Sequence, residues 1–264
     1  MKTKIRGFEI AYDDSGSTAM PLVLIHGFPL DRTTWAEQTR ELADSARVIA
    51  PDLRGCGESS MPPGATTMDE YADDVRGLLD ALNIQSAIIA GVSMGGYIAF
   101  AFYRKYMARV RALILVDTRA GADSPEGKKA RDENAALARA EGAGAIAERM
   151  LPKMLTPQTA TTRANVAQDL RALMARQPVE GVAAALIALR DRPDSTPTLA
   201  QISVPTLVVC GADDQLIPVK ESEFLRDQIR GARLALIPDA AHLPNYEQPA
   251  AFNHAVKDFL KTIA

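Results

Sequence analysis

One serine stands between two glycines at two-residue spacing, in Gly91-Val92-Ser93-Met94-Gly95, where an apolar run gives way to a helical pattern. A hydroxyl is a weak nucleophile at neutral pH and needs a base beside it and a carboxylate to hold that base. Three histidines are available. His26 closes the run Leu22–His26 and leads into Gly27-Phe28-Pro29, so it suits a brace for that loop. His254, in FNHAV, falls inside the last helical pattern and reads as a packed or surface side chain. His242 follows the apolar run Arg233–Ile237, in IPDAAHLPNYEQP, and is the expected general base. For the carboxylate, TLVVCGADDQLIP offers Asp213 and Asp214 directly after another apolar run. Asp214 is the expected partner of His242, Asp213 reads as a loop or solvent residue, and Asp117, at the end of ALILVD, is the competitor. Such a set performs acyl transfer through a serine ester, with no cofactor and no metal.

The elements that must position these residues are legible in the pattern. Phe8–Tyr12, Leu22–His26, Arg47–Ala50, Ala87–Gly91, Ala112–Asp117, Thr206–Cys210 and Arg233–Ile237 read as strands. From the third onward their nearly unbroken apolar character implies burial on both faces, as in a parallel sheet covered by helices. Helical spacing covers Thr33–Asp44, Met68–Leu82, Gly95–Met107, Val219–Gln228 and Pro249–Ile263. The fold class expected is a doubly wound α/β protein. Ser93 then sits on a strand-turn-helix, where G-x-S-x-G makes a nucleophile elbow. The turn is so tight that positions 91 and 95 must lack a Cβ, and the helix start behind it offers free N–H groups, Met94 foremost, to an oxyanion. The competing reading is a helix start merely softened by glycine.

From residue 118 to 201 the alternation stops. Segments rich in Ala, Arg and Met, punctuated by Pro152, Pro157, Pro178, Pro193 and Pro197, read as an all-helical insertion. The expected division is a core of residues 1–117 and 202–264 with a helical cap at 118–201, placed at the carboxyl ends of the strands where open α/β sheets bind ligands. Its Arg and Ala residues read individually as amphipathic, solvent-facing helix surface. Of its apolar Met150, Leu151, Met154, Leu155, Leu173 and Met174, a minority are expected to meet substrate.

Composition narrows the partners. The 264 residues are 47% hydrophobic and 24% charged, enough to bury a large core. Thirty basic against 33 acidic residues give a net charge of −3, without the basic run that nucleic acid or an anionic membrane selects. Cys56 and Cys210 make neither a disulfide framework nor a metal-ligand spacing, which fits a reducing cytoplasm. No segment approaches the roughly 20 apolar residues of a membrane span. The partner expected is a small ester or lactone, with no nucleic acid and no membrane; homo-oligomer formation stays open.

Five motifs taken in order, HGFP at 26–29, PDLRGCGES at 51–59, GVSMGG at 91–96, GADD at 211–214 and AAHLPNYEQP at 241–250, resemble the α/β-hydrolase fold superfamily over essentially the whole chain. The match is nearest to its cofactor-free serine carboxylesterases, enol-lactonases and perhydrolase-like members. That resemblance implies an eight-stranded, mostly parallel sheet with a cap inserted after the sixth strand, and a triad in the order Ser93, Asp214, His242. It also implies that the N–H of Phe28 joins that of Met94 at the oxyanion. With serine at the elbow, dehalogenase and epoxide hydrolase chemistry is disfavoured. Other triad chemistries remain as rivals: perhydrolysis, carbon–carbon bond hydrolysis, hydroxynitrile lysis, and non-catalytic ligand sensing.

Overall fold

In the computed structural model, which describes residues 1–16 and 18–263, eight strands build one sheet. They are β1 (Lys2–Ile5), β2 (Phe8–Asp14), β3 (Pro21–Ile25), β4 (Arg47–Pro51), β5 (Ala87–Val92), β6 (Val110–Val116), β7 (Thr206–Gly211) and β8 (Arg233–Ile237). The spatial order is β1-β2-β4-β3-β5-β6-β7-β8, with β1 and β2 antiparallel to their neighbours and all others parallel. Helices α1 (Ala36–Glu41), α2 (Met68–Ala81) and α3 (Met94–Tyr106) connect β3, β4, β5 and β6 in turn. Six helices lie between β6 and β7: α4 (Pro125–Glu141), α5 (Ala143–Met154), α6 (Pro157–Thr162), α7 (Ala164–Ala175), α8 (Val179–Arg190) and α9 (Thr196–Leu199). The chain then runs through α10 (Val219–Gln228), α11 (Pro244–Glu247) and α12 (Pro249–Leu260).

The strands β5, β6 and β7 are buried almost throughout, because helices cover both faces of the sheet. Two apolar clusters follow. On one face α2 and α3 pack with Val23, Ile25, Ile89, Leu113 and Leu115; on the other Trp35, Phe252 and Phe259 pack with Leu22, Leu24, Ile114 and Val209. Trp35 and Phe252 meet as a tilted aromatic pair with ring centroids 5.9 Å apart.

Three expectations change. The eighth strand is β1, whose charged KTKI pairs with β2 as an edge hairpin; its alternation carries too little apolar signal to mark a strand. Thr33–Asp44 is not one helix but a 3-10 turn, Arg32–Trp35, followed by the short α1. The strand Arg233–Ile237 is not buried on both faces: it closes the sheet edge, and Leu236 is 48% exposed. Apolarity at that position therefore reports only partial cover. Among the described residues no single helix is long and apolar enough to cross a membrane.

Candidate active site

Strand β5 ends at Val92 and α3 begins at Met94, so Ser93 alone makes the turn. Its backbone stands at φ 54° and ψ −112°, a strained conformation for a residue with a Cβ. The flanking glycines are sterically required: a Cβ on Gly91 would run into the carbonyl of Gly95, and one on Gly95 into that of Ile25. Ser93 N–H donates to Val116 O (2.8 Å), and Thr118 Oγ1 donates to Ser93 O (2.9 Å). The elbow is thereby fixed from the β6 side.

His242 lies past β8, and its Nδ1 is 2.8 Å from Asp214 Oδ2. Both side chains are buried. The other carboxylate oxygen, Oδ1, accepts the N–H groups of Leu216 (2.7 Å) and Ile217 (3.1 Å), which orients the acid. Burial pushes the Asp214 carboxyl up, yet His242 and the Ile217 N–H hold it below its ordinary value, so it is ionised at neutral pH. With Nδ1 engaged, Nε2 is the ring nitrogen left for chemistry. Ser93 and His242 line one cavity of about 90 Å³, together with Phe28, Met94, Tyr97, Met150, Leu189, Leu216, Ile217, Arg119 and Arg131. Among the described residues no hydrogen bond joins Ser93 Oγ to the imidazole; such contacts often close only around substrate.

The N–H groups of Phe28 and Met94 carry no hydrogen bond among the described residues, although both residues are buried at the cavity. Unpaired buried N–H groups are rare, and two of them beside one serine make an anion-binding pair. His26 stands behind this loop. Its Nδ1 donates to Gly27 O (2.8 Å) and its Nε2 accepts from Leu53 N–H (3.0 Å), an arrangement that requires the neutral ring. Burial, which pushes the His26 pKa down, agrees with it.

The competing acid, Asp117, is near but differently used. It follows β6 at φ 40°, is fully buried, and accepts Gly211 N–H on Oδ1 (3.0 Å). Burial and the neighbouring charge of Asp214 raise its carboxyl well above the ordinary value. Two ionised carboxylates would repel here, which favours the protonated form of Asp117 and the ionised form of Asp214. Asp213 is exposed, and His254 is 79% exposed on α12 in a pair with Asp258. Asp117, Asp214 and His242 are near enough to one another to hold a cation; both oxygens of Asp214 and Oδ1 of Asp117 are already engaged by His242 or by backbone N–H groups, and among the described residues only Oδ2 of Asp117 lacks a hydrogen-bond partner.

A family model of the alpha/beta hydrolase fold matches residues 20–249. The chain belongs to the α/β hydrolase fold family. The 3-oxoadipate enol-lactonase 2 of Acinetobacter baylyi is 32% identical over 240 residues, spanning 91% of this chain and 88% of that protein. Among solved structures, a thermophilic esterase from Thermogutta terrifontis with malate bound is 44% identical, with a TM-score of 0.97 over 100% of this chain and 99% of that one. The enol-lactonase from Burkholderia xenovorans LB400 is 32% identical, with a TM-score of 0.92 over 99% and 100% of the two chains.

Four contributors to this α/β hydrolase site escape sequence reasoning. Glu247 is fully buried; it accepts Ala241 N–H (2.6 Å) beside His242 and, on its other oxygen, the N–H and Oγ1 of Thr156 (2.8 and 3.0 Å). It thus ties the histidine loop to the start of α6. Its position in HLPNYEQP was visible, but its partner 91 residues earlier was not. Arg119 and Arg131 line the cavity, whereas arginines of this interval read as solvent-facing. Of the six apolar candidates only Met150 reaches the cavity; Met154, Leu155, Leu173 and Met174 are buried in the same apolar cluster as Trp35, Leu243 and Phe252. Leu189 joins Met150 there instead.

Proposed function

We propose that this α/β hydrolase is a carboxylic ester hydrolase acting on small esters or lactones through an acyl-Ser93 intermediate. The observation that carries the reading is the sharing of one cavity by Ser93, His242 and the unpaired N–H groups of Phe28 and Met94, with Asp214 behind the imidazole. His242 Nε2 takes the proton of Ser93 as its oxygen attacks the carbonyl. The Phe28 and Met94 N–H groups hold the oxyanion, a contribution of about 10²- to 10³-fold in rate per donor. Asp214 steadies the imidazolium. His242 then protonates the leaving alcohol and activates water to release the acid.

The named activities of the enol-lactonase and esterase relatives support this assignment. In the same reading the helices between β6 and β7 serve as a cap, with Met150 and Leu189 shaping the space left for substrate. The test is a p-nitrophenyl acetate time course together with intact-protein mass spectrometry under acid quench. A burst of nitrophenol followed by steady turnover, with one acetyl group on Ser93, is expected. Turnover with no acyl-Ser93 would move the protein to proton-shuttling chemistry, and binding without turnover to a ligand sensor.

A further inference from the structure

Apart from His242 and the Tyr97 phenol, the ionisable side chains lining the Ser93 cavity all carry one sign. Arg119 and Arg131 face it, and among the described residues no carboxylate does. Both reach Asp123, Arg119 through Nη2 (2.6 Å) and Arg131 through Nε (3.0 Å). Asp123 already has a partner in Arg192, whose Nη1 lies 2.9 Å from Oδ1. Arg192 is buried, donates to Leu189 O and Gly121 O, and stacks 4.3 Å from the Tyr97 ring centroid. Arg192 alone would neutralise Asp123. Three guanidinium groups therefore share one carboxylate, and the two lining the cavity supply the excess positive charge.

Spare donors remain on both. Arg119 Nε is buried with no hydrogen-bond partner among the described residues. Arg131 uses Nε alone among its five N–H donors, counting contacts with the described residues. Buried donors and unbalanced positive charge cost free energy unless an anion completes them. A guanidinium fork suits a carboxylate, which it binds through two parallel N–H bonds.

We propose that Arg119 and Arg131 form a carboxylate-binding subsite of the Ser93 cavity, so that the substrate is a small ester or lactone bearing a second, ionised carboxylate. The proposal rests on the reading of Ser93 as an esterase nucleophile. Asp123 holds the two forks side by side from behind, and Arg192 anchors Asp123 to the wall. The small cavity limits the skeleton between the two carboxyl groups to a few bonds.

The test compares ethyl hydrogen succinate with ethyl 4-methylpentanoate, whose branched end matches a carboxylate in shape without its charge. The ratio of kcat/KM, anionic to neutral, should be at least about tenfold at low salt and should fall as ionic strength rises. Arg119→Gln and Arg131→Gln should each lower that ratio by roughly 10- to 100-fold. Binding of succinate and succinamide to the unaltered protein, followed by calorimetry, needs neither variant nor turnover; succinate should bind at least about tenfold more tightly. Equal binding of the two, or a ratio unmoved by substitution because both esters lose rate in parallel, would overturn the subsite and leave the esterase reading standing. Preferential succinate binding without hydrolysis of either ester would uphold the subsite and remove the esterase reading.

Discussion

The strand ends that carry Ser93, Asp214 and His242 differ in construction from the helices between β6 and β7. At the strand ends, position is set by backbone. Ser93 is held by a strained turn and the carbonyls around it, and Asp214 by two N–H groups. In the helices, position is set by side chains. Asp31 takes Arg176 (2.7 Å) and Gln177 (2.9 Å), Glu247 takes Thr156, and Asp123 gathers three arginines. Backbone positioning leaves no room for a Cβ at Gly91 or Gly95, whereas side-chain positioning can be altered one contact at a time. Under the proposed function the first serves the reaction and the second the selection of what reacts.

The largest expected effect is at the elbow. Ser93→Ala should lower kcat for p-nitrophenyl acetate by about 10⁴-fold or more without loss of the folded state, checked by circular dichroism. A folded variant that keeps most of its activity would break the comparison at its root. Asp214→Asn should cost about 10³- to 10⁴-fold in kcat, because the wrong imidazole tautomer is then favoured, while Asp213→Asn stays within about twofold. A deep loss at Asp213 would relocate the acid.

Among the helices the effects should be selective. Met150→Ala should shift the ratio of kcat/KM for butyrate over acetate esters by roughly 5- to 50-fold, since a methylene in an apolar pocket is worth about 1–3 kcal/mol. The same substitution at Met154, packed away from the cavity, should cost stability of about 2–5 kcal/mol and leave that ratio unchanged. Equal shifts from both would erase the distinction between lining and packing.

The smallest effect in activity concerns Asp117. The asparagine in Asp117→Asn can keep the Gly211 bond and present N–H to Asp214, so kcat/KM should stay within about tenfold. Stability is the sharper readout. The Asp117 carboxyl is raised in the folded protein, so above about pH 3.9, where the unfolded chain releases the proton, the folded state binds more protons and its stability falls as pH rises. Asp117→Asn removes that slope. Its Tm should gain on the unaltered protein between pH 4 and 7, by about 2–4 °C for each kcal/mol recovered. A pH-independent difference would mean that Asp117 is ionised in the folded state.

The strand-end region was legible in the sequence because its constraints are local. Gly91 and Gly95 declare a turn within five residues, and Asp214 follows Gly211 at the end of an unmistakably apolar strand. The core strands were readable for the same reason, except where an edge position changed the cover, as at β1 and Leu236. What stayed hidden depends on long-range assembly. Arg119, Asp123 and Arg131 lie near one another in sequence, but Arg192 arrives from the far end of α8, and nothing in Ala- and Arg-rich helices distinguishes a cavity-facing guanidinium from a solvated one. Asp117 was visible as a strand-end acid; the upward shift of its carboxyl was not, since it depends on burial and on Asp214 being set beside it.

Helix α8 meets the loop after β4 with almost nothing between them. A Cβ on Gly181 would strike the carbonyl of Gly55, and the corresponding atom on Gly55 would come within 3.0 Å of Gly181 Cα. Two backbones in direct touch act as a bearing surface: the helix can neither sink toward the sheet nor gain a side chain there to lift it. Leu189, two turns further along α8, thereby inherits its depth in the cavity from a contact far from Ser93. In engineering terms, the roof has a datum. Enlarging the cavity from the Leu189 side requires trimming Leu189 itself, whereas on the Met150 side the wall belongs to α5, which has no glycine seat on that loop.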